Sequence, residues 1–158
     1  MHIWCLEDWK RYIPIGCRSG IRIKFDAGID NEVRRSCKEF IKWMREEFVF
    51  PIRVPVYIKN SIHIRANDGE LVYGTFFRPN EYSVEPYIRI AAGDYAKMNV
   101  EWGKDEALTA ILKTIAHELT HYFQWINNLK LTPIGEERQA TKYSRYILDE
   151  YSETRDHP

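Results

Sequence analysis

Residues 114–125 read Thr114-Ile115-Ala116-His117-Glu118-Leu119-Thr120-His121-Tyr122-Phe123-Gln124-Trp125. The run lies in a stretch with helical periodicity. Leu108, Ile111, Leu112, Ile115, Leu119, Tyr122 and Ile126 fall within about 40° of one meridian at 100° per residue. His117 and His121 sit one turn apart on the same side, nearly opposite that apolar stripe. H-E-x-x-H on a helix carries a mechanism: both imidazoles can reach one tetrahedral zinc. Glu118, about 100° around the helix from His117, can reach a water at the metal without binding the metal. Zinc lowers the pKa of such a water toward roughly 7, and the carboxylate takes the proton. With five histidines in the chain, the pattern arises by accident in about one or two such compositions in a hundred. Ala110, Thr114 and Trp125 share the histidines' side of the helix, where a solvated face would carry Lys and Glu.

A catalytic zinc needs a third protein ligand and an open position. The run after His121 contains no further Gly and His of the metzincin kind, and His157 lies in a chain end that frays. A carboxylate from the following helical pattern is the remaining source. Thr132-Pro133 suits a helix start, with Thr as N-cap and Pro in the first turn. Glu136 and Glu137 follow, and either favours a helix N-terminus. Glu137 is the better ligand candidate, because Ala140 and Ser144 give its face small side chains where two helices could meet.

Upstream, Ile21 to Asp26 alternates as a half-buried strand. Asp30 is a candidate N-cap, and Val33, Cys37, Phe40, Ile41, Met44 and Phe48 recur at helical spacing. Arg53 to Lys59 alternates as a strand, and Pro55 within it suggests an edge position. Ile62 to Arg65 and Leu71 to Arg78 flank Asn67-Asp68-Gly69, a hairpin signal. Tyr87 to Ala91 is a further short strand, and helical patterns cover roughly 105–128 and 133–151. Strands clustered before terminal helices predict an α+β fold. Residues 1–158 read as one domain, on which residues 1–20 could dock through Trp4, Leu6, Trp9 and Tyr12 as an N-terminal extension.

His117-Glu118-Leu119-Thr120-His121 followed by Glu137-Arg138-Gln139-Ala140 resembles the gluzincin arrangement, H-E-x-x-H then E-x-x-A. Within it, residues 87–148 are similar to the small intracellular peptidases of the ImmA/IrrE-like and related minimal groups. The resemblance implies a zincin-like fold: a small mixed or antiparallel sheet, an N-terminal helix, the motif helix and a C-terminal ligand helix. It implies one zinc per chain held by His117, His121 and Glu137, with Glu118 as general base. It also implies an antiparallel edge strand, here Tyr87 to Ala91, that pairs with an extended protein or peptide substrate. Gluzincins often stabilise the oxyanion with a His or Tyr, and Tyr143 is the candidate here. Two positions depart from the usual pattern. Thr120 stands where Gly or Ala is frequent, and Thr141 where Asn or Asp is frequent; the Thr141 hydroxyl could still orient His117. An SprT-like, DNA-linked peptidase is a weaker match, lacking a third histidine and a basic surface.

The composition bounds the alternatives. Formal net charge is zero, with 44% hydrophobic and 14% aromatic residues, so a real core is expected and a nucleic-acid partner is not. Charges within the first twenty residues break any signal-peptide apolar region, and no apolar run is long enough for a membrane span. Cys5, Cys17 and Cys37 form no C-x-x-C pair and read as reduced thiols of a cytoplasmic protein. The leading reading is a zinc metallopeptidase hydrolysing peptide bonds. A second is a catalytically silent zincin-like interaction or regulatory domain that keeps a structural metal. A third is a metal-free binding protein in which the motif is accidental. Oligomeric state and substrate identity are not encoded in any motif.

Overall fold

The strand at residues 21–25 and the helix after it form where the hydrophobic periods place them. A computed structural model describes residues 2–158. Strand β1 is Ile21–Phe25 and helix α1 is Asn31–Glu47. Asp30 caps α1, its carboxylate accepting from the Glu32 N–H at 2.8 Å. Then come β2 (Val54–Lys59), β3 (Ile64–Arg65), β4 (Leu71–Val72), β5 (Gly74–Phe77) and β6 (Tyr87–Ala91). Three helices follow: α2 (Tyr95–Trp102), α3 (Lys104–Ile126) and α4 (Pro133–Ser152). The fold is α+β with a mixed sheet in the order β1-β2-β6-β5. β1, β2 and β6 run parallel, and β5 is antiparallel to β6.

Two edge assignments made from sequence are overturned. Tyr87–Ala91 lies inside the sheet, between β2 and β5, and Gly74–Phe77 is the edge strand beside it. β2 is also internal despite Pro55. Backbone N–H groups alternate sides along a strand, and the Val54 N–H donates to Gly20 on the β1 side. The Pro55 nitrogen therefore faces the β6 side, where pairing begins only at Val56 with Ile88. No ladder bond is lost.

The turn at Asn67-Asp68-Gly69 does close a hairpin: Ile64 pairs with Val72 and Arg65 with Leu71. Gly69 there has φ +88°, open to glycine at little cost. The returning chain is not one strand, however. It bends at Tyr73, whose carbonyl accepts from the Ala91 N–H at 2.8 Å. Residues before the bend pair within the hairpin, and those after it join the main sheet.

One sheet face packs on α1 and α3. Val54, Val56, Ile58, Ile88 and Ile90 are fully buried there with Phe40, Ile41, Leu112 and Ile115. Helix α3 is more enclosed than one stripe would give: from Glu118 to Ile126 every residue is buried. The N-terminal segment supplies part of that cover through two short 3-10 turns, Ile3–Cys5 and Asp8–Arg11. Trp4 is 2% exposed, with its ring 4.8 Å from Phe123 and 5.0 Å from Phe48. Its indole N–H donates to the Thr120 hydroxyl at 3.0 Å, while Thr120 donates to the Ala116 carbonyl. The Trp9 N–H donates to the Asn127 side chain at 3.0 Å. Thr120, between the two motif histidines, is thus the anchor point for this segment. The three cysteines are free; Cys37 is buried, which pushes its thiol up to about 12. No described helix is long and apolar enough to cross a membrane.

Trp4→Ala should therefore cost about 3–5 kcal/mol of unfolding free energy, as for other buried aromatic truncations. Trp4→Phe should cost less, keeping most of the packing and losing the bond to Thr120. Urea denaturation of the two variants checks this, and equal midpoints for both and wild type would contradict it.

Candidate metal centre

Helix α3 presents His117 and His121 toward the first turn of α4. Thr132 caps α4, its hydroxyl accepting from the Gly135 N–H at 3.0 Å, and Pro133 occupies the first turn. Ala140 and Ser144 are buried against α3, so α4 can lie close. That approach sets the Glu137 carboxylate between the two imidazoles. One oxygen is 3.1 Å from His117 Nε2 and the other 3.0 Å from His121 Nε2. The three side chains offer ligand atoms within 4.8 Å of one another, a group that could hold a metal ion. Glu136, the alternative carboxylate, lines the cleft outside this group and accepts from Arg78 at 3.0 Å.

The hydrogen bonds fix which atom of His121 is available. Gln124 Nε2 donates to the backbone carbonyl of Glu136 at 3.0 Å and contacts Gln139 at 2.9 Å. A carbonyl only accepts, so the Gln124 amide orientation is set. Its oxygen, 2.8 Å from His121 Nδ1, must accept from that nitrogen. In the neutral ring, His121 Nε2 then carries a lone pair aimed at a carboxylate oxygen. Two acceptors 3.0 Å apart need a cation between them, either a proton or a metal ion. Burial, and the neighbouring His121, hold His117 below the usual imidazole range, which disfavours a proton there. The donor set, two imidazoles and one carboxylate, could hold a divalent metal ion.

Glu118 is 7% exposed and points into the same cleft. Burial, and the charge of Glu137, raise its carboxyl to about 8. The cleft has a volume of about 860 Å³. The edge strand β5 forms one wall, α3 and α4 the floor, and the β3–β4 hairpin the far side. Gly74 makes the wall close. A Cβ there would stand 2.8 Å from Thr114 Cγ2 and 3.1 Å from Glu118 Cγ, so any side chain would push β5 off the helix.

His117, Glu118, His121 and Glu137 are thus brought together. Tyr143 is not: its ring packs 5.2 Å from His2 and 6.1 Å from Tyr146, and it does not border the cleft. The tyrosines that do are Tyr73 and Tyr87. His157 contacts Asp105 at 2.8 Å, and the His63 ring lies 5.2 Å from Tyr73. Thr141 lines the cleft. Sequence reasoning missed Gln124 and Gly74. The first had a signal, a lone amide three residues after a ligand histidine on a buried helix face. The second was a glycine inside an aromatic strand pattern, which marks close backbone approach. Compared with family models, curated proteins and solved structures, the chain matches none.

Gln124→Ala frees the His121 ring and should weaken metal binding by about 10–100-fold in a chelator competition. The metal-free protein should also show a pH signature. A raised carboxyl pKa stabilises the fold fully below the ordinary value of 4.5, and that stability is lost as pH rises through about 8. Chelated Glu118→Gln should therefore gain on chelated wild type with rising pH, by on the order of 4 kcal/mol at pH 8. Parallel urea curves at all pH values would refute the assignment.

Proposed function

We propose that this chain is a zinc-dependent peptidase of the gluzincin kind, built on a zincin-like fold. The observation that carries the reading is the Glu137 carboxylate set between two imidazole nitrogens, with a buried carboxyl next to them in an open cleft. His117, His121 and Glu137 would hold the ion. Bound there, zinc would supply Lewis acidity toward a substrate carbonyl and toward water.

The chain's own residues divide the remaining work. Glu118 is the proton acceptor: its environment raises its affinity for a proton, the property a general base needs near neutral pH. It would take a proton from the attacking water and return it to the leaving amine as the C–N bond breaks. Gln124 holds the His121 ring in one tautomer. The free edge of β5 would take an extended peptide by strand addition, because its outer side has no partner strand. That edge borders the cleft along Gly74 to Phe77, so a backbone bound there would lie beside Glu118. Gly74 keeps the edge strand close to the helix, and so sets the distance between a bound backbone and Glu118.

Elemental analysis of the purified protein should find about one zinc per chain. His121→Ala and Glu137→Ala should lose it. Glu118→Gln should keep the metal and lose peptide hydrolysis by about 10²–10⁴-fold, the usual share of a general base. A Glu118→Gln protein with full cellular function would instead favour a silent, metal-stabilised interaction domain.

A further inference from the structure

Among the described residues, helices cover only one face of the main sheet; on the other, Pro55 is buried and Tyr57, Phe77, Tyr87 and Arg89 are half-buried. Ile21, Ile23 and Phe25 turn toward the core, so Arg22 and Lys24 point the other way. The register carries that outer face across the sheet in two rows. Lys24 pairs with Tyr57, Tyr57 with Arg89, and Arg89 with Thr75. Arg22 pairs with Pro55, and Phe77 with Tyr87. Val56 opposite Ile88 sets Pro55 beside Tyr87, completing the second row.

The three rings adjoin. Tyr57 and Tyr87 have centroids 6.3 Å apart, and Tyr87 and Phe77 stack at 4.9 Å. Neither row contains a carboxylate. Among the described residues, Arg22, Lys24 and Arg89 form no ion pair. Arg89 donates through Nη2 to the Arg65 carbonyl at 3.3 Å, and its Nε is buried without a partner among the described residues, so a ligand would meet the guanidinium at its Nη end. Lys59, the remaining cation of this face, is the one neutralised, by Asp26 at 3.1 Å. The whole-chain balance of zero does not report on this local composition.

We propose that this open sheet face binds single-stranded nucleic acid. Bases stack on Tyr57, Tyr87 and Phe77, and phosphates meet Arg22, Lys24 and Arg89. Adjoining rings flanked by unpaired cations are what a flexible, unpaired strand requires; duplex bases are already stacked and present no face. An acidic peptide would use the cations and leave the rings idle. None of these six side chains is a ligand or the base, but Phe77, Tyr87 and Arg89 also line the cleft of the metal centre.

The test is fluorescence anisotropy of the full chain with labelled 15-nucleotide single strands of DNA and of RNA. Saturable binding is expected at low salt, with the matching duplex at least about tenfold weaker. With three phosphate-binding cations, log affinity should fall against log salt with a slope of about −2. Tyr57→Ala and Tyr87→Ala should each weaken binding by about 5–150-fold. The reversal Lys24→Glu, at an exposed residue whose ammonium lies 5.8 Å from the Tyr57 ring centroid, should weaken it at least about tenfold. His121→Ala should leave it unchanged. The proposal fails if no single strand binds, if duplex binds as well, or if polyglutamate competes equally and the ring variants bind like wild type.

Discussion

A histidine and three other polar side chains in the middle of an enclosed helix are costly unless each finds a partner. That cost is concentrated between Glu118 and Gln124 on α3, and α4 offsets it for His121 and Gln124. Glu137 reaches both imidazoles, and Gln124 reaches back to the Glu136 carbonyl and Gln139. These bonds need α4 to lie close, which Ala140 and Ser144 permit. On the opposite flank the same helix is held by Trp4 at Thr120 and by Tyr122, whose hydroxyl bonds both backbone groups of Ile52. The position of the imidazoles is therefore set from both sides of α3.

What could be read in advance was what depends on local period and local chemistry. The alternation of Ile21 to Asp26, the Asp30 cap, the Asn67-Asp68-Gly69 turn and the two long helices are all short-range signals. The four residues that converge in the cleft were also legible, because three sit in one helical turn and the fourth follows a clear helix start. Strand order was not legible. Pro55 reads as an edge residue only when both sides of its strand are assumed to be paired at that point; here pairing with β6 begins one residue later, at Val56. The bend at Tyr73 was hidden because both halves of 71–78 have strand composition, and the choice of partner is made by distant residues. Tyr143 followed its helix, but rotation about the helix axis sends it toward His2 instead of the cleft. The departure at Thr120 had no local meaning until Trp4, far away in sequence, was placed against it.

Whole-chain charge is silent about any one face for a related reason. A balanced total says nothing about where the charges lie, and strand alternation sorts them by face. β5 shows the effect in four residues: Gly74 and Phe76 face the helix, while Thr75 and Phe77 belong to the outer rows. One short edge strand thus borders two surfaces of different chemistry, a carboxylate–imidazole centre and an aromatic–cationic sheet.

The bond between Trp4 and Thr120 joins residues 116 apart in sequence. At a synthesis rate of about 5–20 residues per second, the indole emerges roughly 6–23 s before its partner exists. During that interval a large aromatic side chain has no native place to go. The parallel strands and α1 can form meanwhile, but α3 cannot be closed on that flank until the segment around Trp4 returns to it. The order of biosynthesis thus makes the cover of the histidine-bearing helix one of the last contacts made.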